Sequence, residues 1–322
     1  MKVAVTGGSG VVGAAVVRHL VAEGHDVWAL ARSVEASEKL DVLGASVVHG
    51  DLRDDTAVRR LVVGCRRVFH IAGVNEMCSR HPGRMWAVNV DATLGVLEAA
   101  ARAGVERLVH TSSAVTIGEE QGSVGDENSK HRGYFISEYE RSKTVAERLV
   151  HDSIHRIEVV SVNPSSVQGP GRSTGTGALL LAAARGRLPF LVDTTFSLVD
   201  IDDCARGHLL AADRGSPGER YILSGATLSV RAAVQILKRV SGTRRSPWFV
   251  RPSILTAAAP LVDTAYRALH RQSPLCPESA RVLLHGHSYD GSRAERELGL
   301  EYTAVDDTLQ RTFRWFRREG HI

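Results

Sequence analysis

The stretch VTGGSGVVG at residues 5–13 constrains the fold more than any other segment of this chain. It follows a short apolar run, Lys2–Thr6, and opens a segment with an apolar stripe, Val11–Glu23. Its three glycines permit a tight turn and a close approach of the backbone to a ligand. A helix that begins there presents free N–H groups and a partial positive charge, which suit a pyrophosphate. The stretch therefore predicts a strand–turn–helix unit that binds a dinucleotide.

Strand-like and helix-like segments alternate along the first half of the chain. Further strands are predicted at 26–31, 46–49, 67–70, 107–111 and 158–163, and further helices at 35–43, 54–63, 85–103 and 139–151. Such alternation predicts an α/β protein with a doubly wound parallel Rossmann sheet. Residues 1–164 form the predicted NADP-binding domain, to which 199–225 return. Residues 165–322 form a smaller C-terminal substrate-binding lobe, inside which Trp248 and Phe249 are expected to pack, with a position facing the pocket as the alternative.

The composition limits the class of protein and its partners. The chain has 322 residues, 43% of them hydrophobic, and a formal net charge of +4, as a globular protein would have. The densest basic run, 311–320, is predicted to be the polar face of a last helix with Phe313 and Phe316 on its apolar side, and not a nucleic-acid patch. No apolar run approaches the roughly 20 residues of a membrane span, and the early first strand is expected to leave no room for a signal peptide. We expect a cytoplasmic protein with no nucleic-acid or membrane partner.

The four cysteines and the histidines show no metal-ligand spacing. Reduced thiols in a reducing compartment are the simplest interpretation of cysteines at positions 65, 78, 204 and 276. The sequence thus predicts no metal site and no disulfide.

The end of the second predicted strand indicates which dinucleotide binds. NAD-binding proteins usually carry an acid about 20 residues after the glycines, whereas this chain has Arg32. A guanidinium there can hold a 2′-phosphate, and Lys39 can add a second cation. NADP(H) is therefore preferred, with NAD(H) possible. Asp51 could accept a hydrogen bond from the adenine amino group, or else Asp51 or Asp54 could cap the next helix.

Tyr139 and Lys143 stand four residues apart in YERSK. On a helix, this spacing places both side chains on one face. The pair is a weak signal by itself, because so short a motif also arises by chance.

Taken together, these segments resemble the extended short-chain dehydrogenase/reductase superfamily. The closest branch is the dihydroflavonol-reductase-like one, which includes proteins labelled hopanoid-associated sugar epimerases. The matching motifs stand in the family's order: VTGGSGVVG, HGDLRD, HIAG, VNVDAT, HTSSAVTIG, YERSK and VNPSSVQGPG. The resemblance implies an NAD(P)-dependent enzyme acting on a small molecule, and a homodimer formed through the helices that carry Asn89 and Tyr139.

The resemblance also implies a role for individual residues. Tyr139 would be the general acid/base and Lys143 would lower its pKa, while Ser113, with Ser112 as competitor, would polarise the substrate oxygen. Asn89 would kink the long helix and help to relay protons, or else bond to the main chain. The predicted cofactor contacts are Gly7, Ser9, Gly10, Val11, Val12, Gly13, Arg32, Lys39, Asp51, Leu52, Ile71, Ala72, Gly73, Tyr139, Lys143, Pro164 and Val167.

The sequence leaves three functions open, and its residues favour them unequally. Sugar-nucleotide dehydratases carry an Asp-Glu pair where this chain has Ala114 and Val115, which argues against elimination of water. Phe196 stands about where epimerases place an Arg for the diphosphate, which favours a less charged substrate. The leading hypothesis is an NADP(H)-dependent oxidoreductase that interconverts a ketone and a secondary alcohol on a non-nucleotide metabolite.

The runner-up is an NAD-dependent epimerase of a sugar or sugar nucleotide, for which one of three arginines could supply the cation: Arg172, Arg185 or Arg187. The third hypothesis is a non-catalytic NADP-sensing regulator, against which the Tyr139–Lys143 pair argues. The long polar loop at 118–133 is predicted to be a mobile edge of the pocket.

Overall fold

The structure is a computed structural model that describes residues 1–242, 247–271 and 273–322. Its strands are β1 Lys2–Thr6, β2 Asp26–Ala31, β3 Ser46–His49, β4 Arg67–His70, β5 Arg107–Thr111, β6 Glu158–Pro164, β7 Ser166–Gln168, β8 Phe190–Leu191, β9 Thr195–Asp200, β10 Arg220–Leu223, β11 Ala226–Ser229 and β12 Trp248–Phe249. Seven of them form one sheet in the order β3-β2-β1-β4-β5-β6-β10, and every pairing in it is parallel. The order runs outward from β1 in both directions, which confirms the predicted doubly wound Rossmann fold.

Helices cover both faces of this sheet. They are α1 Val11–Ala22, α2 Val34–Val42, α3 Asp55–Val62, α4 Gly83–Trp86, α5 Ala92–Arg102, α6 Glu138–Asp152, α7 Thr176–Ala184, α8 Ile201–Arg214, α9 Val230–Ser241, α10 Pro252–Ala268, α11 Pro277–His285 and α12 Val305–Arg318. A π-helical turn, Ala87–Asp91, joins α4 to α5, and a further π turn spans Ala294–Leu298. A 3-10 turn, Ala114–Ile117, follows β5. No helix within the described residues combines the length and the apolar character that crossing a bilayer requires.

The side chains of β1 point alternately to the two faces of the sheet, so the core forms two layers. Val3 and Val5 pack with residues of α1 and α8, whereas Ala4 packs with residues of α3 and α5 on the other face. Because α8 covers this sheet and β10 pairs with β6, the segment after β9 lies with the first domain in space. The domain boundary at residue 164 stays a prediction.

The remaining strands and helices form the second lobe. β7, β9 and β11 make a three-stranded sheet, and β8 pairs with β12. Phe313 and Phe316 of α12 are buried against α9, as the sequence predicted. The prediction that Trp248 packs inside the lobe is wrong, since it is 77% exposed. Phe249 lies 4.0 Å below the guanidinium of Arg231.

Two cysteines that are distant in sequence form a disulfide, Cys78–Cys276. The prediction of four reduced thiols is therefore wrong for this pair, and only Cys65 and Cys204 are free. Spacing along the chain carried no signal, because the bonded residues are 198 positions apart and only the fold brings them together. The disulfide therefore also removes the argument from the cysteines for a reducing compartment.

The loop at 118–133 is bonded to the body of the protein and does not match the predicted mobile edge. Gly125 donates its N–H to the carbonyl of Ser288 at 2.9 Å. The buried Glu127 carboxylate accepts the N–H of Ile222 at 2.8 Å. We call this loop, together with residues 276–290 that pack on it, the junction.

Candidate active site

The glycine loop connects β1 to α1 in the predicted way. Gly7 has φ +72°, and a Cβ there would stand 2.6 Å from the N atom of Ala72. A Cβ on Gly13 would stand 2.0 Å from the carbonyl oxygen of Gly7. The N-cap of α1, Gly10, offers no side chain to the first turn, so the N–H groups of that turn face outward without a capping partner. This uncapped helix end and the glycine loop beside it, which we call the glycine cradle, fit a pyrophosphate.

Of the cations predicted for a 2′-phosphate, Arg32 directly follows β2 and Lys39 lies in α2, and each already has a partner. Arg32 is 69% exposed and its Nη1 lies 3.8 Å from the Asp51 carboxylate. Lys39 donates from Nζ to the carbonyl of Ser9 at 2.7 Å, which braces the glycine loop. Arg32 is thus the cation that can turn toward a ligand, whereas Lys39 fixes the loop that the ligand would meet.

Asp51 does not cap α3, because the side chain of Asp54 accepts the N–H of Thr56 instead. Asp51 accepts from Arg53, and these hydrogen bonds lower the pKa of Asp51 to about 2. Its carboxylate is therefore ionised at neutral pH. Leu52 beside it is half-buried, as expected of a residue that lines a groove for the cofactor.

The catalytic candidates meet near the ends of β4 and β5. Ser113 lies close enough to the hydroxyl of Tyr139 to lower the pKa of the tyrosine. Lys143 is 4% exposed and donates from Nζ to the carbonyl of Thr111 at 2.7 Å. A Cβ on Gly73 would lie 3.8 Å from that Nζ and 3.5 Å from Oδ1 of Asn89. The fold thus brings the four candidates and the HIAG segment, with Ile71 and Ala72 half-buried, to one place.

Ser113 rather than Ser112 faces the tyrosine. Ser112 donates its backbone N–H to Val162 at 2.8 Å, and its buried Oγ has no hydrogen-bond partner among the described residues. Since successive residues of an extended chain point to opposite sides, only one of the two can serve the pocket. The geometry favours Ser113, in line with the sequence-based choice.

Asn89 lies in the π turn and is fully buried. Its side chain accepts the N–H of Val74 at 2.8 Å and donates to the carbonyl of Val74 at 2.9 Å and to Ser142 at 3.0 Å. The irregular turn lies where a kink was predicted, and π turns often mark functional sites. The side chain of Asn89 thus bonds to the main chain of the segment that follows β4 and not to the main chain of its own helix. Asn89 thereby fixes the wall of the pocket beside Lys143.

The protein by itself reverses the predicted direction of the Tyr139 pKa. Burial raises it, and only the hydrogen bond from Ser113 and the charge of Arg172 oppose that rise. Lys143 is no cause of the shift, and burial lowers the pKa of Lys143 itself to about 8. The expectation that Lys143, with the positive charge of the nicotinamide, lowers the tyrosine pKa stays a prediction, because among the chain's own groups desolvation outweighs the attraction.

Arg172 is a residue that the sequence offered only as one of three possible cations. It is the one whose charge reaches Tyr139, and its buried Nε has no hydrogen-bond partner among the described residues. Arg185 instead donates to the carbonyl of His321 at the C-terminus. Pro164 ends β6 and Val167 lies in β7, both buried. Only the fold distinguishes Arg172 from the other arginines, because no motif marks it.

The fold, the glycine cradle and the Ser–Tyr–Lys set together define an NAD(P)-dependent oxidoreductase of the extended short-chain type. The chain belongs to the NAD-dependent epimerase/dehydratase family, whose sequence model matches residues 3–224.

Individual proteins of known sequence or structure align along the whole chain. Sterol demethylase protein B of Methylococcus capsulatus is 33% identical, with 100% of both chains covered. A putative dihydroflavonol 4-reductase of Synechocystis is also 33% identical, over 99% of this chain and 95% of its own. The crystal structure of gox2253 has a TM-score of 0.86 and 28% identity, over 100% of this chain and 99% of the other.

Proposed function

We propose that this chain is an NADP(H)-dependent enzyme that interconverts a ketone and a secondary alcohol on a non-nucleotide metabolite. The observation that carries the proposal is the convergence of Ser113, Tyr139 and the buried Lys143 next to the glycine loop. The names of the two 33% identical relatives, one a reductase and one a sterol-modifying protein, support a non-nucleotide substrate. Phe196, an apolar residue in β9, supports it as well.

In this mechanism each side chain has one task. Ser113 donates a hydrogen bond to the substrate oxygen and holds it against Tyr139. Tyr139 gives a proton to that oxygen during reduction and takes it back during oxidation. Lys143, whose Nζ is fixed by the carbonyl of Thr111, places a positive charge beside the pocket. The nicotinamide, when bound, supplies or accepts the hydride.

The raised pKa of Tyr139 favours reduction over oxidation. Since burial raises the pKa of Tyr139, its phenol is protonated at neutral pH and ready to act as an acid. Oxidation needs a phenolate, so it would require a further positive charge near the tyrosine to lower the pKa. We therefore expect reduction to be faster than oxidation at pH 7.

The nucleotide content of the purified protein tests the proposal against its runner-up. The protein is denatured and the supernatant is separated by HPLC. Protein that carries no nucleotide, binds NADPH reversibly and oxidises it with a panel of ketones would support the proposal. Stoichiometric NAD(H) retained through purification would instead favour an epimerase.

Replacing Tyr139 tests the mechanism within this scheme. Tyr139→Phe should lower kcat for ketone reduction by about 10²–10⁴-fold, the usual contribution of general acid–base catalysis. NADPH affinity should stay within about twofold, since the hydroxyl is assigned to the substrate. Tyr134→Phe is the matched control, because Tyr134 is 54% exposed and has no role in the proposed mechanism. Full activity in Tyr139→Phe would refute the mechanism.

A preference for NADP(H) is a separate part of the proposal and rests on Arg32. Arg32→Ala should weaken NADPH binding about tenfold, which corresponds to about 1.4 kcal/mol, and leave NADH binding nearly unchanged. Arg53→Ala serves as a control, because Arg53 bonds to the same Asp51. Equal Kd values for NADPH and NADH in the wild type would contradict the preference.

One observation favours the epimerase as a second candidate. Arg172 places a cation whose buried Nε has no hydrogen-bond partner among the described residues near Tyr139, where the diphosphate of a sugar nucleotide could be bound. Arg172→Ala should abolish turnover of a sugar nucleotide but leave ketone reduction largely intact.

We also propose a homodimer, formed through the helices that carry Asn89 and Tyr139. The family resemblance is its support. Light scattering at micromolar concentration tests it, and a monomeric mass would refute it. The cytoplasmic location likewise stays a prediction.

A further inference from the structure

Three side chains from distant parts of the chain converge inside the junction. Glu119 follows the 3-10 turn after β5, His285 ends α11, and His287 lies two residues further on. Each offers one atom of a metal-ligand type, and these atoms all lie within 4.8 Å of one another. Glu119 is 2% exposed and His285 is 8% exposed.

Contacts within the cluster leave several polar atoms unpaired. Nδ1 of His287 lies 2.7 Å from Oε1 of Glu119 and 2.9 Å from the hydroxyl of Tyr289. Nε2 of His285 lies 3.5 Å from the same Oε1 and makes no hydrogen bond. Oε2 of Glu119 and Nε2 of His287 also have no hydrogen-bond partner in the part of the chain described. Buried polar atoms rarely stay unpaired, so three in one place indicate a bound species.

The backbones that carry these side chains are fixed. The N–H of His287 donates to the carbonyl of Thr195 in β9 at 3.1 Å. The carbonyl of Glu119 accepts from Arg132 at 3.1 Å, and Gln121 donates to the carbonyl of Leu284 at 2.9 Å. Two polypeptide segments are thus held together before any ligand binds, which lowers the entropic cost of assembling a site.

The local charge suits a divalent cation. Arg132, which donates to the carbonyl of Glu119, is ion-paired with Glu140, so its charge is compensated. The Glu119 carboxylate then contributes one negative charge to a cluster with two imidazoles. Two imidazoles and one carboxylate form a ligand set that zinc takes in proteins, with bonds of about 2.0–2.2 Å. Tetrahedral bonds of that length separate ligand atoms by roughly 3.4 Å, which fits the 3.5 Å between His285 and Glu119.

We propose that Glu119, His285 and His287 form a zinc-class divalent metal site that joins the loop at 118–133 to the C-terminal lobe. The fourth position would be taken by water or by the hydroxyl of Tyr289. The 2.7 Å contact between His287 and Glu119 is a hydrogen bond, and metal binding would replace it. The site shares no residue with the glycine loop or the catalytic candidates, and it does not depend on the proposed reaction.

The test measures metal content without any turnover. Chelator-treated full-length protein is incubated with Zn²⁺, passed through a desalting column and analysed for zinc by mass spectrometry. We expect close to one zinc per chain and a rise in Tm on zinc addition. The double variant Glu119→Gln/His287→Gln should hold less than about a fifth of that amount and show no rise in Tm. His155→Gln, a change in an exposed turn, is the matched control and should bind as the wild type does.

Cobalt gives a second measurement that needs no variant. Co²⁺ added to the chelator-treated wild type should produce d–d absorption bands of a four- or five-coordinate nitrogen–oxygen site, and Zn²⁺ should abolish them. Less than a tenth of an equivalent of zinc in the wild type would overturn the proposal and leave a metal-free hydrogen-bonded cluster. Full zinc content in a folded double variant would overturn it too, since the metal would then be bound elsewhere.

Discussion

The cofactor end of the central sheet and the junction are built from contacts of very different range. At the cofactor end, Lys39 bonds to Ser9 over 30 residues, and Lys143 bonds to Thr111 over 32. At the junction, Glu119 and His287 are 168 residues apart, and the N–H of Cys78 donates to Glu278 over 200. The first region is assembled from contacts between nearby strand–helix units, whereas the second exists only after remote segments of the chain have come together.

The difference explains which region is recognisable in the sequence. A strand–turn–helix unit carries its own pattern of glycines and apolar residues, so a motif of nine residues is enough to predict it. A site between a loop and a C-terminal segment has no local pattern. We expect changes at the cofactor end to act mainly on activity, and changes at the junction to act mainly on stability.

Among the changes that compare the two regions, Lys143→Met should give the largest effect. The loss of a fixed positive charge beside the pocket should lower kcat by about 10²–10³-fold and leave the denaturation midpoint nearly unchanged. Steady-state kinetics and urea unfolding of the same preparation measure both effects. A large loss of stability with normal kcat would reverse the proposed contrast between the two regions.

The pH dependence of ketone reduction gives a second test of the Lys143 charge. Burial lowers the pKa of Lys143 to about 8, so its charge is present below pH 8 and is lost as the pH rises above it. The kcat/KM for ketone reduction should therefore be flat at pH 6–7 and fall above about pH 8. Lys143→Arg should move that fall to higher pH, because a guanidinium stays protonated.

The disulfide should give the next largest effect, and on stability alone. Removing the Cys78–Cys276 bond by a double change to alanine should cost about 2–4 kcal/mol of unfolding free energy, because the bond closes a very long loop. Reductant should destabilise the wild type to a similar extent and leave the variant unaffected. NADPH affinity should change by less than about twofold. Cys65→Ala, which removes a free thiol, controls for the loss of a buried side chain.

A pair of glycine substitutions gives the smallest expected effect and compares the two regions directly. Gly13→Ala places a Cβ 2.0 Å from the carbonyl of Gly7 and should cost about 1–3 kcal/mol, with at least a tenfold loss of NADPH affinity. Gly122→Ala in the junction loop meets nothing within 4 Å. It should cost only about 1 kcal/mol for its positive φ, with unchanged NADPH binding. Equal effects on binding would contradict the contrast.

Most of the first domain could be predicted from the sequence. The five strands from β1 to β5 have the predicted ends, and α1, α2 and α3 begin or end within one residue of the prediction. Apolar periodicity, glycines and caps are local signals, so they survive without knowledge of the fold. The second lobe was not predicted at this level, because its strands are short and pair across long separations.

The sequence by itself determined the doubly wound sheet, the glycine loop and the placing of Tyr139 and Lys143 on one helix. These depend on the chain's short-range periodicity and on the turn residues between segments. The tertiary structure alone decided the direction of the Tyr139 pKa, the choice of Arg172 as its nearby cation, the Cys78–Cys276 bond and the Glu119 cluster. Each of these depends on burial or on a contact between remote segments, and neither quantity is written in any single stretch of residues.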